Sequence, residues 1–128
     1  KLIDWNIHQY DNNVVEKSKV SDPFESTNVW KVDPTYDKNH SAVFPISLCD
    51  RVIKYYSMVG DLVFDPFAGS GTLGKSAMKL NRYFFLTEIE AKYVDYMRVE
   101  FGIDGLTNNG SSEVQIINLA EFAKGLDK

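Results

Sequence analysis

Between Leu62 and Ser76 the chain reads LVFDPFAGSGTLGKS, and no other stretch limits the fold as tightly. A short apolar run ends at an acid and a proline, a glycine-rich turn follows, and Leu73, Ala77 and Leu80 then recur at helical spacing. An apolar strand, a glycine turn and a helix in that order open a parallel βαβ unit. The letters satisfy three nucleotide-type patterns. From Gly69 they spell G-x-x-x-x-G-K-S, the phosphate-cradling Walker A loop, and also G-x-G-x-x-G through Gly71 and Gly74, the dinucleotide fingerprint. From Asp65 they spell D-P-F-A-G-S-G-T, which is neither.

The rest of the chain supports the α/β reading. Residues 1 to about 39 are polar, with DNN, SDP and VDPTYDKNH as turn signals, and are expected to be irregular. From Pro45, a favoured first residue of a helix, Ile46, Cys49, Ile53 and Tyr56 recur at helical spacing with Val52 beside them, up to Gly60-Asp61. Leu62-Val63-Phe64 and Tyr83-Phe84-Phe85-Leu86 read as buried strands, the second ending at Thr87-Glu88. Val94, Met97 and Phe101 mark a further helix stopped near Gly102. Val114 to Ile117 reads as a third strand, and Leu119 to Leu126 as a helical tail.

The 128 residues set a prior of one domain. With 18 acids against 14 Lys and Arg, net charge is −4, which argues against a free-standing nucleic-acid binder while leaving room for a partner that carries the basic surface. No apolar run approaches the ~20 residues of a membrane span, and no signal peptide is visible. The lone Cys49 excludes an internal disulfide framework and fits a reducing, cytoplasmic setting. The chain opens on Lys1 rather than Met, which suggests sequence upstream.

The residues around the glycines choose among the three loops. A Walker A reading would make Lys75 and Ser76 the ligands, yet FFLTE is the one later apolar run ending in an acid, and it follows almost at once. Lys75 then reads as a solvated helix residue. In a dinucleotide fold the strand runs directly into the first glycine, whereas here Asp-Pro-Phe-Ala intervenes and puts a negative charge where a pyrophosphate must lie. An acid at the strand end instead suits a sulfonium or an α-ammonium group. Gly69 and Gly71 let the backbone approach a ligand. Glu88, closing the next strand, is placed to accept from two ribose hydroxyls. Together these describe a site for S-adenosyl-L-methionine (AdoMet).

From Val29 onward the chain resembles the AdoMet-binding half of the bacterial DNA amino-methyltransferases that modify adenine N6 or cytosine N4, in the β-type order that places this half after the catalytic one. The resemblance rests on VWKV at 29–32, on HSAVFPISLCDRVIKYYSMVGD from His40 to Asp61, on LVFDPFAGSGT ending at Thr72, and on LNRYFFLTEIEAKY. Asn81 and Thr87 stand where the family usually has glycine. The resemblance implies a Rossmann-like methyltransferase fold, of which residues 29–128 are the cofactor-binding half of the parallel sheet. Residues 1–28 are at most the tail of a target-recognition region. It implies that Asp65, Phe67, Ala68, Gly69, Gly71 and Thr72 line the methionine and ribose side, and that Glu88 holds the ribose. Phe44 and Pro45 would pack near the methionine end, with His40 and Ala42 just before them. Ile89 would lie on the adenine, and Asn118 at an adenine-contacting position.

Simpler readings stand beside these. His40 serves equally as a turn residue capping the following helix, Trp30 as a packed aromatic, and Cys49 as a small apolar position. DPTY, Asp33 to Tyr36, imitates the family's catalytic D/N/S-P-P-Y/F/W motif, but it lies in a plain connection and Thr35 replaces a proline that shapes the turn. No residue of this chain is therefore assigned as catalytic. Without that motif the glycine-loop strand would leave an unpaired edge, to be met by a catalytic-half polypeptide, by a second copy, or by the rest of a longer chain, with DNA engaged through the completed enzyme. A methyltransferase of another substrate class, or a non-enzymatic partner subunit, remains the alternative.

Overall fold

A computed structural model of the chain describes residues 7–20, 29–34, 44–102 and, as backbone alone, 115–118. After a short 3-10 turn at Ile7–Gln9 come α1 (Asn12–Ser18), α2 (Ile46–Tyr56), β1 (Leu62–Asp65), α3 (Thr72–Lys79), β2 (Tyr83–Glu88), α4 (Ala91–Glu100) and β3 (Gln115–Asn118). The three strands form one parallel sheet in the order β1-β2-β3, with Phe64 beside Phe85 and Glu88 beside Asn118. Each parallel step is bridged by a helix, as the alternating pattern in the sequence requires.

The core lies on one face of this sheet. Ile53 of α2, Ala77 of α3, Phe84 and Leu86 of β2 and Met97 of α4 are buried together with Ala68 of the loop. Each fully buried Ile, Leu or Met contributes about 1.5–3 kcal/mol through removal from water. Glycine at position 74 sets how closely α3 approaches β2, because a Cβ there would meet Leu86 Cδ1 at 2.7 Å.

The other face is open among the described residues. Leu62, Phe64 and Tyr83 are exposed, and the Phe64 and Phe85 rings tilt together at 5.5 Å. The expectation that Leu62–Phe64 is a buried strand is therefore corrected. Only Val63 of that run packs against the core, and β1 pairs with β2 alone among the described strands. Parallel strands ordinarily need cover on both faces, so the apolar run reads as buried when only half of its cover is at hand.

Other local differences have clear causes. Pro45 precedes α2 as its cap, with ψ 132°, and is not its first helical residue. The helix stops at Tyr56, four residues short of Gly60, because Ser57 turns extended and its hydroxyl donates to the Ile53 carbonyl at 2.6 Å. Residues 7–20, expected to be irregular, hold α1. Asp11 caps it, its carboxylate accepting from the backbone of Asn13 at 2.8 Å and Val14 at 3.1 Å. An aspartate at the N-cap was the signal for this helix. Side-chain hydrogen bonds fix the segment to the turn before β1. Tyr10 donates to Asp61 at 3.2 Å, and Val59 N–H donates to the Ser18 hydroxyl at 2.8 Å.

Candidate cofactor site

The first half of the D-P-F-A-G-S-G-T turn, from Pro66 to Gly69, is held by the end of β2. Asp65 closes β1 and its Oδ1 accepts the Phe67 N–H at 3.0 Å, the local bond by which an aspartate starts a turn. Ala68 N–H then donates to the Thr87 carbonyl at 3.0 Å, and the Thr87 hydroxyl donates to the Pro66 carbonyl at 3.0 Å. Where a glycine would leave this turn attached by one bond, threonine attaches it by two. Gly69, with φ 53°, donates its N–H to Glu88 Oε2 at 2.7 Å, and Gly71, with φ 79°, is the left-handed cap from which α3 starts.

In front of the turn is a cavity of about 290 Å³, lined by Asp65, Phe67, Ala68, Gly69 and Thr72 of the loop, and by Phe44, Leu48, Cys49 and Val52 of α2 and its approach. It lies at the carboxyl end of β1, where open parallel sheets receive ligands. Asp65 is its anionic group, and among the described residues no Lys or Arg pairs with it. Phe67 and Phe44 stand largely exposed at the rim. Burial, with the nearby Asp65 and Asp50 carboxylates adding to it, pushes the Cys49 thiol up to about 11, so it lines the cavity as a neutral group.

Six of the twelve residues expected at the site thus line one cavity: Asp65, Phe67, Ala68, Gly69, Thr72 and Phe44. Gly71 does not. A Cβ on it would meet Phe101 Cε2 at 2.9 Å and Met97 Cγ at 3.0 Å, so its missing side chain makes room for the core and not for a ligand. Pro45 is half-buried behind Phe44, outside the lining. Glu88 is 8% exposed, and its carboxylate accepts from Gly69 and also from Ile89 and Glu90, at 2.8 and 2.9 Å on Oε1. Of the roughly four acceptor positions of a carboxylate, three are filled, which leaves room for one ribose hydroxyl where two were expected. Ile89 is exposed beyond it. Asn118 ends β3 in register with Glu88, on the same rim of the sheet. His40 and Ala42 lie outside the described residues, as do Thr35 and Tyr36 of DPTY; Asp33 and Pro34 are exposed and belong to no helix or strand.

The phosphate-loop readings find no support in this geometry. Lys75 pairs with Glu100 at 2.9 Å and lies 5.5 Å over the Tyr96 ring, tying α3 to α4; it is a partly exposed helix residue and does not line the cavity. Ser76, with no exposed surface, donates to Asp50. Leu48, Val52, Phe64 and Leu73 line the cavity and were not expected there. Val52 sits beside the helical stripe, and only the way α2 crosses α3 turns it toward the loop. Trp30 is a packed aromatic, 5.4 Å from the Tyr55 ring with Arg51 over it.

A parallel α/β sheet with an acid-led glycine turn at a strand end defines a nucleotide- or cofactor-binding protein. A model of the N6/N4 DNA methylase family matches residues 2–99, and the chain belongs to that family. The cofactor of the family is S-adenosyl-L-methionine. The orphan methyltransferase M.BamHII of Bacillus amyloliquefaciens is 40% identical over 76 residues, covering 53% of this chain and 29% of the relative. The type II methyltransferase M.BglI of Bacillus subtilis is 37% identical over 87 residues, covering 63% of this chain and 25% of the relative. Among solved structures, a protein of Thermus thermophilus assigned to the DNA modification methylases matches 84% of this chain and 42% of its own at a TM-score of 0.62 and 28% identity. The chain thus spans less than a third of these curated relatives. The family model reaches back over residues 2–28, including α1. No helix among the described residues is long and apolar enough to cross a membrane.

Proposed function

We propose that this chain is the AdoMet-binding portion of a DNA methyltransferase that modifies an exocyclic amino group, adenine N6 or cytosine N4, with the D/N/S-P-P-Y/F/W site supplied by another part of the enzyme. The observation that carries this reading is the cavity at the end of β1. Its one anionic wall, Asp65, has no cationic partner among the described residues, and its floor is a glycine turn with no phosphate-binding lysine. A cavity of about 290 Å³ is at the small end of ligand sites, which suits the methionine end of the molecule. The ribose and adenine would extend past Gly69 toward Glu88, Ile89 and Asn118. When bound, AdoMet supplies the methyl group on its sulfonium centre. Asp65 offers a carboxylate to the positive charge of the methionine end. Glu88 orders the Gly69 amide and takes a ribose hydroxyl, while Phe44 and Phe67 exclude water from the rim.

The face and the β1 edge that are open among the described residues suit completion by the catalytic part, which would lay a strand along β1 and cover Leu62, Phe64 and Tyr83. DNA is engaged through the completed enzyme. Calorimetric titration of the full chain with S-adenosylhomocysteine, with ATP and NAD in parallel, tests the site. The homocysteine compound should bind alone, and Asp65→Ala should weaken it by about 1–3 kcal/mol. Binding of ATP or NAD in its place, or unchanged affinity in both Asp65→Ala and Glu88→Ala, would overturn the assignment.

A further inference from the structure

At the opposite end of the sheet, where β2 begins, a second cavity of about 390 Å³ opens between the end of α1 and the core. Half of its ten lining residues are cationic, namely Lys17, Lys19, Lys54, Lys79 and Arg82, and none is acidic. The chain as a whole carries a net charge of −4, so this concentration runs against its average.

Local structure accounts for the lysines in part. Lys79 pairs with Asp50 at 2.7 Å and Lys19 with Glu16 at 2.5 Å. Lys17, Lys54 and Lys79 stand in the last turns of α1, α2 and α3, where the carbonyl ends carry a partial negative charge. Arg82 is different. It belongs to no helix and is 5% exposed, and its guanidinium donates only to neutral oxygens: Ser57 Oγ at 3.1 Å, the Leu80 carbonyl at 2.6 Å and the Ser57 carbonyl at 2.8 Å. No carboxylate bonds to it directly among the described residues, although the Asp61 carboxylate is near enough to favour its charge, and two of its five N–H groups have no acceptor among those residues. Burial outweighs that neighbour and lowers the Arg82 pKa, so a cation bonded directly only to neutral oxygens is costly here, and an anion in the cavity would offset part of that cost. Asn81 lines the same wall. It has φ 60°, a backbone region that Asn tolerates better than most residues, and it brings an amide where glycine would bring nothing.

We propose that this cavity is an anion site for a phosphate group, separate from the cofactor loop at the other end of α3. A forked guanidinium among flexible ammonium groups is the chemistry that recognises phosphate oxygens. Two sources offer that group: the phosphodiester backbone of DNA and a small phosphorylated ligand.

The test titrates the ¹⁵N-labelled full chain with inorganic phosphate, against sodium chloride at matched ionic strength, and then adds a short DNA duplex. Phosphate should give saturable shifts at the amides of Val59, Asn81 and Arg82 that chloride does not. Lys17→Glu/Lys19→Glu, on the exposed end of α1, should weaken binding at least about tenfold while S-adenosylhomocysteine affinity is unchanged. Asn81→Asp, which leaves α1 intact, should weaken it as well. If the duplex displaces phosphate, and the dependence of its affinity on salt falls by about two in the double lysine variant, the source is the DNA backbone. If the duplex leaves the phosphate shifts in place, the source is a small ligand. Equal shifts in chloride, or phosphate binding that survives both variants, would overturn the proposal without touching the cofactor assignment.

Discussion

Glu88 Oε2 accepts the backbone N–H of Gly69 at 2.7 Å, joining the end of β2 to the middle of the glycine turn across nineteen positions of sequence. The same carboxylate caps the start of the next segment through Ile89 and Glu90. The acid expected to hold a ribose thus first holds the loop that the ligand must meet. On the proposed function, loop shape and ligand binding would be coupled through this one side chain.

Glu88→Gln separates the two roles. An amide keeps the size but offers one acceptor oxygen and turns an NH₂ toward at least one donor. Because the group is buried, a fall of about 1–3 kcal/mol in unfolding free energy is expected, read from urea denaturation. S-Adenosylhomocysteine affinity should fall with it. A stable variant with normal affinity would show that the carboxylate charge serves neither purpose.

The two glycines flanking the start of α3 should respond differently to alanine. At Gly74 a Cβ meets Leu86 Cδ1 at 2.7 Å and Phe101 at 3.1 Å, but the helix gains roughly 1 kcal/mol in propensity and the leucine end can shift. At Gly71 the Cβ meets Phe101 and Met97, and φ is +79° as well. Gly71→Ala should therefore be the more destabilising, by at least about 1 kcal/mol. Chemical denaturation of both variants checks the order, and equal midpoints would refute the packing role assigned to Gly71.

The contrast between these glycines also shows what the sequence could and could not disclose. The loop, the three strands and the helices around them follow from periodicity and turn residues, because each spacing has one good local solution. What lies across space was hidden. No local signal says that the hydrogen of Gly71 points at Met97, that Lys75 reaches Glu100, or that Val52 faces the glycine turn, since all three depend on how α2 and α4 cross α3. The exposure of Leu62 and Phe64 was equally hidden, because an apolar strand reads as buried whether or not its cover is present. Asp11, by contrast, was a legible cap that a polar composition masked.

Cys49 lines the cavity at the end of β1, proposed as the cofactor site, with its thiol held neutral by burial, its ionisation raised to about 11. Alkylation by iodoacetamide should accordingly be slow at pH 8 and rise only toward pH 11. Bound S-adenosylhomocysteine should slow it further. The sign of the stability effect follows from the raised value: the contribution is intact below the unfolded value near 9 and is lost as pH rises through the folded one. Denaturation midpoints of the native chain should fall more steeply over that window than those of Cys49→Ala. Rapid labelling at pH 8 that is insensitive to ligand would place the thiol away from the site.

Asp50 provides the complementary acid test. Burial alone would raise its pKa, but the Lys79 ammonium and the Ser76 hydroxyl bonded to it outweigh burial and hold it below the ordinary carboxylate value. A depressed folded value stabilises above the unfolded pKa of about 4 and is lost as pH falls through the folded one. Stability of the native chain should therefore drop below about pH 4, and Asp50→Asn should flatten that limb. Ser76→Ala leaves the carboxylate one donor short at a position with no exposed surface, and should cost about 1–3 kcal/mol at neutral pH. If α2 and α3 are joined through this pair, the two substitutions together should cost less than their sum. Strict additivity in a double-mutant cycle would mean that the serine and the aspartate act separately.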